Sequence, residues 1–96
     1  MEPKFIKPLD VGIKELINNL GIKAKLQEYE AVTQWEEIVG RQIAAVSIAK
    51  KIAKGVLVVQ VKTSVWRNEL LLRKKEIIDR LNSTLGHEVV KDIKFQ

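Results

Sequence analysis

The sequence predicts a single α+β domain in which helices pack on one face of a small, mixed, three-stranded sheet. Ninety-six residues are enough for one modest hydrophobic core. Apolar residues recur at helical spacing before Gly40 and again after Thr63. They alternate with other residues from 47 to 62 and from 89 to 96, which is the period of a strand. The predicted order of elements is therefore α-α-β-β-α-β.

Two helices are predicted in the first forty residues. Residues 1–8 are expected to form a flexible lead-in, because Pro3 disfavours regular structure, and residues 9–96 to form the domain. The first helix covers residues 9–20 and ends at Gly21. Its apolar stripe is Leu9, Ile13, Leu16, Ile17 and Leu20. The second helix covers residues 22–39 and ends at Gly40. Its apolar residues are Ile22, Leu26, Tyr29, Val32, Trp35, Ile38 and Val39.

A short helical turn over residues 41–46 and a β-hairpin are predicted next. The first strand is weak and lies at a sheet edge, with Ile48, Lys50 and Ile52 on one face and Ala49, Lys51 and Ala53 on the other. Residues 53–55 form the turn, where Gly55 permits a positive φ. The second strand covers residues 56–62. Its core face is Leu57, Val59 and Val61, and its partly open face is Val58, Gln60 and Lys62.

One long helix, capped by Thr63 or Ser64, is predicted to run to Gly86. Arg67 and Lys74 fall inside its apolar stripe, where they either extend over apolar surface or present cations to a partner. The last strand, within residues 89–96, is expected to run parallel to the preceding strand. The predicted core is Leu57, Val59, Val61, Leu70, Ile77, Leu81, Ile93 and Phe95, together with Leu16, Leu26 and Trp35.

The positive charge is concentrated in the middle of the chain. The whole chain carries +5, but residues 41–75 hold nine basic residues against one acidic residue. Such asymmetry favours contact with a polyanion, although lysines that only solvate the surface are the alternative. Trp66 is a candidate for base stacking, with core packing as the alternative. The predicted nucleic-acid-binding cations are Lys50, Lys51, Lys54, Lys62, Arg67, Arg73, Lys74 and Lys75.

The first forty residues are mildly acidic, and the second helix carries most of this charge. Its glutamates are a candidate contact for a partner protein. They would steer the partner into place more than they would strengthen the contact. A purely solubilising role is the alternative. These residues are Glu28, Glu30, Glu36 and Glu37.

Catalytic chemistry is nearly absent from the sequence. There is no cysteine, and His87 is the single histidine, so we expect no metal site. The five glycines are scattered and form no phosphate-binding loop. We therefore expect a protein that is not an enzyme and has no cofactor. No segment has the length of a signal peptide or a membrane span, which predicts a cytoplasmic protein.

Several short motifs resemble the DciA family of bacterial replicative helicase operators, also called loaders. They are Trp35-x-x-Ile38-Val39-Gly40, Ile43-Ala44, Gly55-Val56-Leu57-x-Val59-x-Val61, Ser64-x-Trp66-x-x-Glu69-Leu70, Leu81-Asn82 and Asp92-Ile93-x-Phe95. The resemblance covers residues 9 to 96. It implies a KH-like domain without the GxxG loop, and the sequence indeed has no GxxG. It also implies binding to single-stranded or double-stranded DNA and to a DnaB-type replicative helicase.

Two other functions fit the composition and charge. One is a KH-like RNA-binding protein, for example in ribosome assembly. The other is a pure protein-interaction module that uses the acidic helices. The sequence leaves the oligomeric state open.

Overall fold

The computed structural model of the chain describes residues 21–86 and 88–96. The elements are α1 (Ile22–Thr33), α2 (Trp35–Val39), α3 (Arg41–Ala44), β1 (Ser47–Ala53), β2 (Val56–Val61), α4 (Ser64–Leu72), α5 (Lys74–Leu85) and β3 (Asp92–Phe95). The predicted α+β class is confirmed. The lead-in, the helix predicted over residues 9–20 with its core residue Leu16, and His87 lie outside the described residues.

The three strands form one mixed sheet in the order β1-β2-β3. β1 pairs antiparallel with β2, and β2 pairs parallel with β3, which confirms the predicted direction of the last strand. Lys54 and Gly55 form the hairpin turn with φ values of 54° and 81°. A two-residue turn with two positive φ values suits the right-handed twist of the flanking strands. A Cβ at Gly55 would also lie 3.0 Å from side-chain atoms of Lys91, which is a tight contact, so both the positive φ and the local packing favour glycine at this position.

The regular alternation predicted for β1 is wrong, because a β-bulge interrupts the strand. The register shifts between Ala49, which lies opposite Val59, and Lys51, which lies opposite Val58. The extra residue is Lys50, and it moves every later side chain of the strand to the other face. Ala49 and Ile52 are therefore half-buried against the core, and Lys50 and Lys51 are both exposed.

The core lies between the helices and one face of the sheet. Every predicted core residue of β2, α4, α5 and β3 is buried, and Leu57, Leu70 and Leu81 are fully buried. Trp35 is buried as predicted, but Leu26 is 55% exposed, so its assignment to the core is wrong. The reason is that α1 buries its Ala31 side, which leaves the side that contains Leu26 in solvent.

Both long helices of the prediction are interrupted by one residue. Gln34 separates α1 from α2, and Arg73 separates α4 from α5. Each has φ near −100° and ψ near 10°, outside the helical range. The first interruption reorients the chain so that α2 buries Trp35, Ile38 and Val39.

A buried hydrogen-bond relay connects α2, α3 and β1. The indole Nε1 of Trp35 donates to Ser47 Oγ at 3.0 Å, and this hydroxyl donates to the carbonyl oxygen of Ile43 at 2.6 Å. Ser47 is 3% exposed. The relay satisfies polar groups that have no access to water. This explains why a serine is buried at the first position of β1.

Asn82 holds the segment that leads into β3. Its Oδ1 accepts the backbone N–H groups of Val89 and Val90 at 3.0 and 2.8 Å, and its Nδ2 donates to the carbonyl oxygen of Val90 at 2.9 Å. Both valines are buried. For this reason the strand alternation predicted from Val89 begins only at Asp92.

Candidate nucleic-acid interface

Four exposed lysines follow the length of the hairpin. Lys50 and Lys51 lie at the bulge, Lys54 lies in the turn, and Lys62 follows β2, where its backbone N–H donates to Val46. The six residues of β2 separate Lys54 from Lys62 by a strand of about 20 Å. We call these four residues the hairpin basic surface. Its length corresponds to about six phosphates along one strand of a B-form duplex at ~3.4 Å per phosphate.

The sheet adds a fifth lysine that sequence reasoning missed. Val58 lies opposite Lys51 on one side and opposite Lys94 of β3 on the other. Paired residues point to the same face of a sheet, so both lysines lie on the face away from the core. The alternation of residues 89–96 places Lys94 on a solvent face, but only the pairing of β2 with β3 places it beside the hairpin.

Two of the predicted helix cations are paired with carboxylates. Arg73 Nε lies 2.8 Å from Glu69 Oε2, and Lys74 Nζ lies 2.9 Å from Asp92 Oδ1. The hydrogen bond from Lys74, then that from the backbone N–H of Ile93, lowers the pKa of Asp92 below its usual value. The carboxylate is therefore charged at neutral pH and offsets the charge of Lys74. This ion pair also explains why a lysine lies within the apolar stripe of the helix.

The other two helix cations differ in exposure. Lys75 is exposed at the start of α5. Arg67 is half-buried, and its Nε is buried without a hydrogen-bond partner in the part of the chain that the structure describes. The structure therefore brings the hairpin lysines and Lys94 onto neighbouring strands, whereas the helix cations are mostly paired or partly covered.

Trp66 is half-buried and packs against the core. Its backbone N–H donates to Thr63 Oγ1 at 3.1 Å, so Thr63 is the residue that caps α4. Because part of the ring is covered by the core, less of its face is available to a base.

The four candidate acidic residues differ in their surroundings. Glu30, Glu36 and Glu37 are exposed. Glu28 is half-buried and borders one groove that contains Lys54 and another that contains the two bulge lysines. Glu28 thus lies on the hairpin side of α1, where it offsets part of the positive charge.

Within residues 21–86 and 88–96, no group of three or more histidine, cysteine or carboxylate residues is placed to hold a metal ion. The same residues include no helix that is both long and apolar enough to cross a bilayer.

Comparison with known proteins identifies relatives over almost the whole chain. The sequence model of the family described as Dna[CI] antecedent, DciA matches residues 8–95. The chain is 26% identical over 89 residues to a UPF0232 protein of Mycobacterium tuberculosis and 26% identical to one of Mycobacterium leprae. It is 25% identical to a UPF0232 protein of Mycobacterium ulcerans. Each match covers 93% of this chain but only 47–48% of the relative. The chain therefore spans about half the length of the curated relatives it matches.

Proposed function

The chain belongs to the DciA family, and from this membership we propose that it is a non-enzymatic, DNA-binding accessory protein of the replicative helicase. In this proposal it binds a DnaB-type helicase and assists its loading onto single-stranded DNA. The family match over residues 8–95 is the observation that carries the proposal. The exposed lysines of the hairpin support its DNA-binding part.

The DNA contact is proposed to lie on the hairpin basic surface together with Lys94. Exposed lysines contact phosphates without reading bases, so binding should show little sequence preference. The exposed Lys75 extends this surface in the proposal. Arg67, Arg73 and Lys74 contribute less, because they are half-buried or already paired with carboxylates.

The helicase contact is proposed to involve the glutamates of α1 and α2. Glu30, Glu36 and Glu37 are exposed, and in this proposal they orient a basic partner surface. Glu28 belongs to the same proposed contact at its border with the hairpin. Separate basic and acidic surfaces would allow one small domain to hold a DNA strand and a protein at the same time.

Helicase loading tests the proposal directly. We expect the helicase of the same organism to load faster onto a circular single-stranded template when this protein is present, with no ATP hydrolysis by the protein alone. The comparison is between equal helicase concentrations with and without the protein. Equal loading, together with no complex on a sizing column at low salt, would contradict the helicase assignment. Stronger binding to structured RNA than to single-stranded DNA would then favour the RNA-binding alternative.

Charge reversal tests the DNA surface. If three or four phosphates of a single strand are neutralised, log affinity should fall against log salt with a slope of about −2 to −3. Changing Lys50, Lys51 and Lys54 to glutamate should weaken binding and flatten this slope, as measured by fluorescence anisotropy at several salt concentrations. Thermal unfolding should show that the fold is retained, because all three side chains are exposed.

Two matched variants distinguish the effect of the hairpin charges on DNA binding from the effect of the net charge of the protein. The triple change of the same lysines to arginine should keep both affinity and slope, because it keeps the charge. Changing Lys23, Arg41 and Arg80 to glutamate alters the net charge by the same amount at exposed positions outside the hairpin. If this control weakens binding as much as the hairpin variant does, the hairpin is not the DNA-binding surface.

A further inference from the structure

A groove of about 310 Å³ lies between α1 and β1. It combines cations with an aromatic ring and an apolar floor. The residues that supply these features are Lys25, Tyr29, Val32, Lys50, Lys51 and Ile52. None of the residues that carry the resemblance to the DciA family borders it. Its volume lies at the lower end of the range of ~300–1,000 Å³ that is typical of small-ligand sites.

Tyr29 is the distinctive residue of the groove. It is the single tyrosine of the chain, and 66% of its surface is exposed, although tyrosine is typically intermediate in burial. Val32 and Ile52, which are half-buried, lie beside it and form apolar surface. An exposed ring next to apolar surface is suited to stack with a flat, partly apolar group.

The bulge places two adjacent cations in the groove. In a regular strand, neighbouring side chains point to opposite faces. Lys50 lies at the register shift, and Lys51 follows it on the face away from the core; both are exposed and border the groove along the edge strand β1. Lys25 adds a third cation from the α1 side, and among the lining residues that the structure describes Glu28 is the one carboxylate. The groove is thus positively charged on both of its walls.

We propose that this groove binds one unpaired nucleotide of single-stranded DNA. The base stacks on Tyr29, and the neighbouring phosphates contact Lys50 and Lys51 on one wall and Lys25 on the other. In a duplex the faces of the bases are covered by their neighbours, whereas an unpaired base offers a free face for stacking. The site therefore gives the protein a preference for single strands that lysines alone cannot supply. This inference rests on the proposed DNA-binding function.

The test compares two probes of equal length on the full chain: a labelled 20-nucleotide oligo(dT) and a labelled 20-base-pair duplex. Fluorescence anisotropy measures the affinity of each at one salt concentration. Tyr29→Ala should weaken binding to oligo(dT) by about five- to hundredfold, the range of one stacked base. Binding to the duplex should change by less than about twofold, because the contacts with phosphates are retained.

Two further variants make the result specific. Tyr29→Phe keeps the ring and should restore binding to oligo(dT) to within about twofold of the unchanged protein. Leu72→Ala removes a side chain that is 85% exposed on α4 and should affect neither probe. Thermal unfolding of each variant confirms that the fold is intact, as expected for exposed positions.

The outcomes separate this inference from the proposed function. Unchanged binding of Tyr29→Ala to oligo(dT), or an equal loss on both probes, would overturn the stacking site while the DNA-binding function stands. Failure of the unchanged protein to bind either probe at low salt would overturn the DNA-binding function, and the groove assignment with it.

Discussion

Replacing Leu81 by alanine should lower the free energy of unfolding by about 2–5 kcal/mol, the range for a buried leucine. Leu81 lies on α5 with no exposed surface and belongs to the core that joins the helices to the sheet. Truncation removes apolar contacts and leaves a cavity, because the surrounding strands and helices can collapse only partly. Urea unfolding monitored by circular dichroism gives the value.

The same truncation at an exposed leucine is the control for Leu81. Leu72 is 85% exposed on the neighbouring helix α4, so Leu72→Ala should change stability by less than about 0.5 kcal/mol. Similar losses for the two variants would mean that the apolar side of α5 does not face the core.

Replacing Asn82 by alanine should lower the free energy of unfolding by about 2–4 kcal/mol, because buried polar groups lose their partners. The change leaves the N–H groups of Val89 and Val90 and the carbonyl of Val90 without the amide that pairs with all three. Val90 is only 1% exposed, so water cannot easily replace the lost bonds. Urea unfolding gives the size of the loss. Amide hydrogen exchange should show faster exchange at Val89 and Val90 in particular.

Asn68 provides the matched control for Asn82. It is exposed on α4, and alanine has the higher helix propensity. Asn68→Ala should therefore leave stability unchanged or slightly raised. Equal effects at the two asparagines would show that the bonds of Asn82 do not stabilise the segment before β3.

The residues that carry the family resemblance mainly perform structural roles. Trp35 donates the buried hydrogen bond to Ser47, Gly55 occupies a positive φ against Lys91, and Asn82 holds the segment before β3. Their spacing was therefore a good guide to the fold. It was a poor guide to the proposed binding surface, since all four lysines of the hairpin basic surface lie outside these motifs.

The fold was predictable where periodicity and burial agree, and it was missed where a single residue changes the phase. The bulge at Lys50 inserts one residue into an alternating pattern, and either register of the pattern has a plausible apolar face. The interruptions at Gln34 and Arg73 occur without glycine or proline, so the sequence carries no stop signal there. Leu26 continues a helical apolar stripe, but only tertiary packing decides which side of α1 is buried.

The candidate site was predictable in composition but not in arrangement. The count of charges identified the hairpin lysines correctly as exposed residues. It did not show that Lys74 pairs with Asp92, because these residues are 18 positions apart and meet only in the folded chain. Tyr29 was assigned to an apolar stripe because an amphipathic pattern does not distinguish a covered aromatic from an exposed one.

The parallel pairing of β3 with β2 sets an order for folding during synthesis. The β1–β2 hairpin can close locally once β2 has left the ribosome, but β3 supplies two core residues, Ile93 and Phe95, more than thirty positions after the strand that they join. Contacts between distant positions form late, because a long loop must be closed first. Until residues 92–95 emerge, the nascent chain exposes one edge of β2 and an incomplete core, which makes this stage the one most prone to aggregation or chaperone capture.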